Sequence, residues 1–287
     1  MRVAANGAEG DVTRTILFFG DSNTRGYGVG REHRYAAHVE AALAPAMGAD
    51  WRFAVSGADS DFRVIPERLY RAVAKHRPDI LVWQCPTGPA AHFVQYPPWL
   101  RPLRAAYNTL FRWRRELGIR VEQVRAEPAL SSRRDVLYDG LYVDALYRWR
   151  PAAWPGTRHV NGWLAARYGV VVKATRERYL ELIERHRERL RVESGARLLF
   201  LGLVPHSDYM YPGYGARVTA WSRDLAALLH HPEDGSVYVD LYTPLAAHPR
   251  RHLLHDGAHL AADGHRRVAE LVIPALLPLM RACERAA

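Results

Sequence analysis

The sequence predicts an α/β fold in which a parallel sheet lies between two layers of helices. Short apolar segments with strand character alternate along the chain with longer segments whose apolar residues recur at helical spacing. This alternation is typical of a parallel sheet covered by helices on both faces. The segment Ile80–Trp83 is apolar throughout, as expected of a strand buried on both faces. We therefore predict a three-layer α/β/α domain with a five-stranded parallel sheet.

The five predicted strands are short and apolar, and a glycine or a proline follows each within a few residues. The first, for example, breaks at Gly20 and the second stops at Ser56-Gly57. The predicted strands are Thr15–Phe19, Trp51–Val55, Ile80–Trp83, Arg197–Leu203 and Val237–Leu241.

Between the strands, the periodicity predicts helices. The segment Ile65–His76 places Leu69 and Val73 on one face, with Pro66 in the first turn, where proline is tolerated. The other predicted helices are Arg34–Pro45, Leu103–Leu117, Ala174–Glu193, Ala216–His230 and Asp263–Met280.

A single domain is predicted over residues 1–287, with one irregular region. Residues 122–168 are rich in tyrosine and tryptophan and lack clear periodicity. We interpret this region as an insertion or cap on the domain. Its aromatic side chains could equally form a dimer contact or a small satellite core. Proline-rich and aromatic loops are predicted at 86–102 and 205–215.

The charge of the chain argues against nucleic acid as a partner. The net charge is +10 and almost all of the excess is arginine, since Lys75 and Lys173 are the only lysines. The arginines are scattered along predicted helices without a dense basic run or a nucleic-acid motif. We interpret them as residues of solvated helix faces. The alternative is that they create a positive electrostatic field that attracts anionic substrates.

Two cysteines, Cys85 and Cys283, do not form a disulfide framework, and Cys85 is expected to be a buried core thiol. Residues 1–11 lack the apolar core of a signal peptide. No apolar run approaches a membrane span, since Pro274 and Pro278 interrupt the last one. These features predict a soluble, cytoplasmic protein without a membrane span.

The first strand leads into Gly20-Asp21-Ser22-Asn23-Thr24. In an open parallel sheet, functional sites lie at the carboxyl ends of strands, where this turn places Ser22. The N–H groups of a following helix would favour negative charge developing near its hydroxyl. The alternative is that Asp21 or Ser22 only caps the helix.

Near the end of the chain, Asp256 and His259 stand three residues apart, just ahead of the last predicted helix. A serine nucleophile needs an imidazole to accept its proton, and the imidazole needs a partner that fixes its tautomer. An aspartate three residues before the histidine can supply that partner locally. The two motifs together predict Ser22, His259 and Asp256 as a catalytic triad.

With these motifs the chain resembles the GDSL esterases and lipases, also called SGNH hydrolases, over nearly its whole length. Gly20-Asp21-Ser22 matches the first family block, and Gly57 matches the oxyanion-hole glycine of the second. Asp256-Gly-Ala-His259, followed by Asp263-Gly264-His265, is similar to the final block. The resemblance implies a flavodoxin-like strand order, a Ser22 nucleophile, and backbone N–H donors from Ser22 and Gly57.

One family block is altered. The family places an asparagine after the third strand, where its side chain donates to the oxyanion, and this chain has Gly88 there. Losing one such donor typically costs about a hundred- to a thousandfold in rate. Two alternatives follow: Thr87 or a residue of the insertion replaces this donor, or the hole works with the N–H groups of Ser22 and Gly57.

The substrate pocket is predicted at the same edge of the sheet. The aromatic loops 92–99 and 209–214 follow the third and fourth strands and are candidate walls for an apolar pocket, although loop aromatics often only pack down. Asp21 is expected chiefly to brace the turn. His206 either contacts the substrate or is a solvent-exposed loop histidine. The predicted pocket residues are Asp21, Asn23, Phe93, Tyr96, His206 and Tyr209.

No metal or cofactor is predicted. The run His248, His252, His255 and His259 has near-helical spacing, but Pro249 and Gly257 interrupt it and no carboxylate pattern matches it. The glycines at 26, 28 and 30 lack the spacing of a dinucleotide fingerprint.

The sequence therefore predicts a serine esterase acting on a small-molecule ester through an acyl-enzyme. An acyltransferase with the same triad is the first alternative. A binding protein that kept the fold after its oxyanion hole decayed is the second. No motif indicates the acyl group, the alcohol or the oligomeric state.

Overall fold

Five parallel strands form the central sheet of the protein, here described from a computed structural model. The described residues are 13–47, 50–58, 64–95, 97–100, 102, 159–206, 213–254 and 257–285. In this part of the chain the strands are β1 Arg14–Gly20, β2 Trp51–Gly57, β3 Ile80–Gln84, β4 Phe93–Val94, β5 Val170–Val171, β6 Arg197–Leu201 and β7 Ser236–Val239. The sheet order is β2-β1-β3-β6-β7. The flavodoxin-like order and the five parallel strands are thereby confirmed.

Helices connect the strands. They are α1 Tyr35–Met47, α2 Ile65–His76, α3 over residues 159–168, α4 Arg176–Ser194, α5 Tyr214–Leu229, α6 Tyr242–Ala246, α7 Pro249–His252 and α8 Ala262–Glu284. Short 3-10 helices lie at Arg31–His33, Gly88–Ala90, Pro98–Leu100 and Pro232–Asp234. No helix within these described ranges combines the length and the apolar character needed to cross a bilayer.

The two faces of the sheet bury separate apolar clusters, which establishes the three predicted layers. Because side chains alternate along a strand, Ile16 and Phe18 face one side and Leu17 and Phe19 the other. The cluster that contains Ile16 and Phe18 also includes residues of α1 and α8. The cluster that contains Leu17 and Phe19 includes residues of α2, α4 and α5. Phe18 on one face of the sheet and Phe19 on the other are both fully buried.

Several elements differ from the sequence-based expectation. The predicted helix Leu103–Leu117 and residues 122–158 lie outside the described residues. Residues 159–168, expected to be irregular, form α3. Its Val160 and Trp163 are exposed while Asn161 and Leu164 are buried, and this reversal conceals the helical period in the sequence. Two short helices, α6 and α7, occupy a segment in which no helix is predicted.

The segment after β3, predicted to be loop, contains β4, which pairs antiparallel with β5 through Phe93–Val171 and Val94–Val170. This pairing joins chain segments almost eighty residues apart, and two-residue strands carry no recognisable pattern of their own. It fixes the position of the loop that leaves the carboxyl end of β3.

Candidate active site

Ser22 lies immediately beyond the carboxyl end of β1, in the turn 21–28. The turn is closed by the N–H of Arg25 donating to the carbonyl of Asp21 at 3.2 Å, and by that of Tyr27 donating to the carbonyl of Ser22 at 2.9 Å. A Cβ on Gly20 would lie 2.0 Å from Thr24 Oγ1. The turn therefore requires a glycine where the strand ends, and it leaves Ser22 partly exposed.

A buried polar network lies beneath this turn. The Gln84 amide donates to Asp21 Oδ2 at 3.3 Å, and its oxygen accepts from the Thr24 hydroxyl at 3.0 Å. Tyr35 OH in turn donates to Thr24 Oγ1 at 2.9 Å. Asp21 Oδ1 accepts from the N–H of Asn23 at 2.8 Å. Buried polar groups that satisfy one another hold a single geometry, so this network stabilises the turn.

Sequence reasoning missed Gln84, Thr24 and Tyr35 as supports of the site. A usable signal was present for Gln84, the single polar side chain at the end of an apolar strand. Nothing in the sequence pairs it with Asp21, because the two residues meet only when β1 and β3 lie side by side.

His259 is held by a tight loop between α7 and α8. An isolated bridge joins Leu253 and Leu260, and the N–H of Leu254 donates to the carbonyl of His259 at 2.8 Å. Gly257 has a φ of +65°, a conformation that favours glycine. The loop thus has backbone hydrogen bonds on both sides of the histidine.

The loop closes onto the Ser22 turn. The N–H of Leu260 donates to Asn23 Oδ1 at 2.9 Å, and both groups are buried. Next to this contact, His259 Nε2 lies 2.9 Å from Ser22 Oγ. The structure therefore brings together the two predicted catalytic side chains at hydrogen-bond distance.

Tyr27 packs on the imidazole, a contact that the sequence analysis did not anticipate. The centroids of the Tyr27 and His259 rings are 4.4 Å apart, with an angle of 38° between the planes. Because Tyr27 belongs to the Ser22 turn, one short segment carries the serine and the aromatic support of the histidine.

Asp256, the predicted third member, lies outside the described residues, as does His255. Two histidines of the run 248–259 have different hydrogen-bond partners. His252 Nδ1 donates to the carbonyl of Leu245 at 3.0 Å, whereas His259 faces Ser22.

Gly57, the predicted oxyanion glycine, is the last residue of β2 and pairs in register with Gly20 of β1. A Cβ on Gly57 would lie 2.5 Å from Arg25 Cγ and 3.0 Å from the carbonyl oxygen of Gly20. Close packing against the Ser22 turn therefore favours glycine at this position.

The surroundings of Thr87 do not favour its predicted role as an oxyanion donor. Thr87 is buried, and its Oγ1 accepts from Gln84 Nε2 at 3.4 Å and from the N–H of Val204 at 3.3 Å. These bonds tie its side chain between β3 and the end of β6. Gly88 opens a buried 3-10 helix and has no side chain to donate.

The predicted pocket residues divide into two groups. Asp21 and Asn23 are buried, and their side chains bind Gln84 and Leu260. These contacts agree with the expectation that Asp21 braces the turn, and they give Asn23 the same role.

Phe93 is half-buried beneath Lys173, whose Nζ lies 4.6 Å from the ring centroid, and His206 stacks on Tyr214 at 4.8 Å. Tyr96 and Tyr209 lie outside the described residues.

His265, which follows the final motif, is completely buried below the site. Its Nδ1 accepts from the N–H of Tyr35 at 3.3 Å. Burial, together with the positive charge of Arg34 and the neighbouring His38, lowers the pKa of His265 to about 3. The imidazole is therefore neutral at physiological pH and serves to join α8 to α1.

Solved structures share this architecture. TesA aligns with a TM-score of 0.52 at 16% identity, covering 93% of this chain and 99% of its own. The lipase/acylhydrolase from Enterococcus faecalis aligns with a TM-score of 0.52 at 13% identity, covering 92% and 95%. A protein assigned to the lipolytic G-D-S-L family from Desulfitobacterium hafniense aligns with a TM-score of 0.50 at 10% identity, covering 91% and 99%.

No family model matches the chain, and no curated protein matches it. At these sequence identities the structural likeness concerns the fold. That fold is the SGNH (GDSL) hydrolase fold, as the resemblance of the end motifs predicts.

Proposed function

We propose that this protein is an SGNH-type serine hydrolase that cleaves a carboxylic ester. The observation that carries the proposal is the 2.9 Å separation between Ser22 Oγ and His259 Nε2 at the carboxyl edge of the sheet. A hydroxyl and an imidazole at this distance are the minimum machinery for acyl transfer through serine. The lipase/acylhydrolase and lipolytic descriptions of proteins with the same fold support an ester as the substrate class.

In the acylation step, Ser22 Oγ attacks the ester carbonyl carbon while its proton passes to His259 Nε2. The imidazolium then donates that proton to the departing alkoxide, which leaves as the alcohol. In the proposal, Asp256 accepts from the other ring nitrogen, holds the tautomer and stabilises the imidazolium. Tyr27 limits rotation of the imidazole, since the two rings are in contact.

The negative charge on the carbonyl oxygen requires hydrogen-bond donors. We assign the backbone N–H groups of Ser22 and Gly57 to this role, because Ser22 follows β1 and Gly57 ends the neighbouring β2 at the same edge of the sheet. With glycine at position 88, a two-donor hole is expected to give turnover about a hundred- to a thousandfold below that of a three-donor hole.

Deacylation repeats the chemistry with water. His259 removes a proton from a water molecule, the hydroxide attacks the acyl carbon, and Ser22 Oγ recovers the proton as the carboxylic acid leaves. An acyltransferase would replace water by an alcohol at this step. The aromatic ring against His259 favours that alternative, because it excludes water from one side of the imidazole.

The test is covalent labelling with a fluorophosphonate, followed by mass spectrometry of the intact protein. We expect one adduct on the parent protein and none on Ser22→Ala. Ser56→Ala removes a partly exposed serine at the neighbouring strand end, and it should label like the parent. A folded parent that forms no adduct would refute the hydrolase and the acyltransferase alike, leaving the binding protein. Product analysis with added alcohol then separates hydrolysis from transfer.

A further inference from the structure

Exposed apolar side chains concentrate in one place. Of the seven large apolar residues that are exposed in the described part of the chain, five lie on two adjoining segments. Their exposed fractions run from 45% to 67%. They form what we call the aromatic patch: Trp99, Val160, Trp163, Val171 and Val172.

Side-chain and backbone contacts hold the patch together. The ring of Tyr168 lies edge-on to both tryptophans, 6.5 Å from Trp99 and 6.0 Å from Trp163. Val160 and Trp163 are three residues apart and share the outer side of α3. The pairing of β4 with β5 brings Val171 beside the segment that carries Trp99. Tyr168 thus joins the two tryptophans, and the strand pairing places Val171 opposite Phe93 on the segment that leads to Trp99.

The charged residues of the two sequence segments that carry the patch, 93–102 and 159–176, are all positive. The Arg167 guanidinium lies 5.8 Å from the centroid of the Tyr168 ring, and Lys173 Nζ lies 4.6 Å from that of Phe93. No aspartate or glutamate occurs in residues 93–102 or 159–176. The same surface thus presents tryptophan rings, branched aliphatic side chains and two cations.

This combination matches a lipid surface. Tryptophan rings partition to the boundary between headgroups and acyl chains, and flanking lysine and arginine side chains attract anionic headgroups. A second copy of the chain fits less well. A two-fold contact would place each patch on itself and bring the cations of both copies together.

We propose that the aromatic patch binds the surface of a bilayer or micelle that carries anionic lipid headgroups. The patch starts on the segment that leaves the carboxyl end of β3, the edge that also holds Ser22. The binding is nevertheless independent of any hydrolytic activity.

The experiment measures sedimentation with vesicles, using the full chain with Ser22→Ala so that no lipid is consumed. Vesicles of phosphatidylcholine alone are compared with vesicles that also contain phosphatidylglycerol. We expect binding to the anionic vesicles, weakened by salt, with a blue shift of tryptophan fluorescence. Trp99→Ser and Trp163→Ser should each reduce the partition coefficient about tenfold or more. Val192→Ser removes an equally exposed residue outside the patch and should leave binding unchanged.

Lys173→Gln and Arg167→Gln probe the charges without touching the apolar residues. Each substitution should lower the ratio of the partition coefficients for anionic and neutral vesicles about fivefold. The weak binding to neutral vesicles should not change. Circular dichroism confirms folding of every variant.

The proposal is overturned if the parent does not bind anionic vesicles, or if the tryptophan variants bind as well as the parent. It is also overturned if light scattering shows a dimer that dissociates on Trp163→Ser. Tryptophans already shielded from acrylamide in the free protein would show that the patch is covered within the chain.

Discussion

Ser22 Oγ and His259 Nε2 lie 2.9 Å apart although 237 positions separate the two residues in the chain. The serine is fixed by a turn at the end of β1, and the histidine by a loop ahead of α8. These supports converge because α8 packs on α1 beside the sheet, and Asn23 then binds the backbone of Leu260. The pairing of the two side chains is thus a consequence of how the last helix closes the domain.

Replacing His259 by glutamine should abolish most of the ester hydrolysis. Without an imidazole, nothing accepts the Ser22 proton, and kcat on p-nitrophenyl acetate is expected to fall by about 10⁴-fold or more. KM should change little. His248→Gln, an exposed histidine outside the site, is the matched control and should keep the parent rate. A His259→Gln enzyme within tenfold of the parent would contradict the assignment.

Tyr27 is expected to act as a positioning residue for His259. Tyr27→Leu removes the ring that packs on the imidazole, an interaction worth about 0.5–1.5 kcal/mol, so kcat should fall about three- to tenfold. Tyr27→Phe keeps the ring and should restore the rate. The measurement is kcat, together with KM and the pH profile, for both variants. Equal kcat values for the leucine and phenylalanine variants would argue against a positioning role.

Asn23 should contribute to stability as well as to catalysis. Asn23→Ala leaves the buried N–H of Leu260 without its acceptor, which costs about 1–3 kcal/mol in the free energy of unfolding. Urea unfolding measures this loss, and kcat should fall because the His259 loop loses its anchor. Glu40→Ala, an exposed change on α1, should stay within about 0.5 kcal/mol of the parent. An unchanged urea midpoint for Asn23→Ala would show that this contact is not maintained in solution.

His265 should make the protein less stable in acid. The unfolded chain takes up a proton at this residue near pH 6.5, whereas the folded protein, with a pKa of about 3, does not. The free energy of unfolding should therefore fall as the pH drops from 6.5 toward 3, by about 1.4 kcal/mol per unit at most.

His265→Asn keeps an acceptor for the N–H of Tyr35 but removes the titration. Denaturation at several pH values should show a shallower slope for this variant. Some slope will remain, because burial also lowers the pKa of His38. Parallel slopes for parent and variant would contradict the prediction.

Much of the fold was predictable because local patterns report local structure. The apolar run before Gly20 and the periodic segment Ile65–His76 match β1 and α2 closely. The helix α3 escaped detection because its Val160 and Trp163 face outward, against the usual pattern. Ser22 and His259 are predicted as catalytic from the residue types that nucleophilic catalysis needs. Gln84 and Tyr27 were missed because their roles depend on contacts between elements.

By itself, the sequence determined the alternation of strands and helices, the glycine break after β1 and the candidate nucleophile and base. Only the tertiary structure decided that Ser22 meets His259, that Thr87 turns inward to bind Val204, and that two tryptophans share one exposed surface. The physical reason is that backbone conformation and burial period are set over a few neighbouring residues. Side-chain partners depend instead on how distant segments of the chain pack against the sheet.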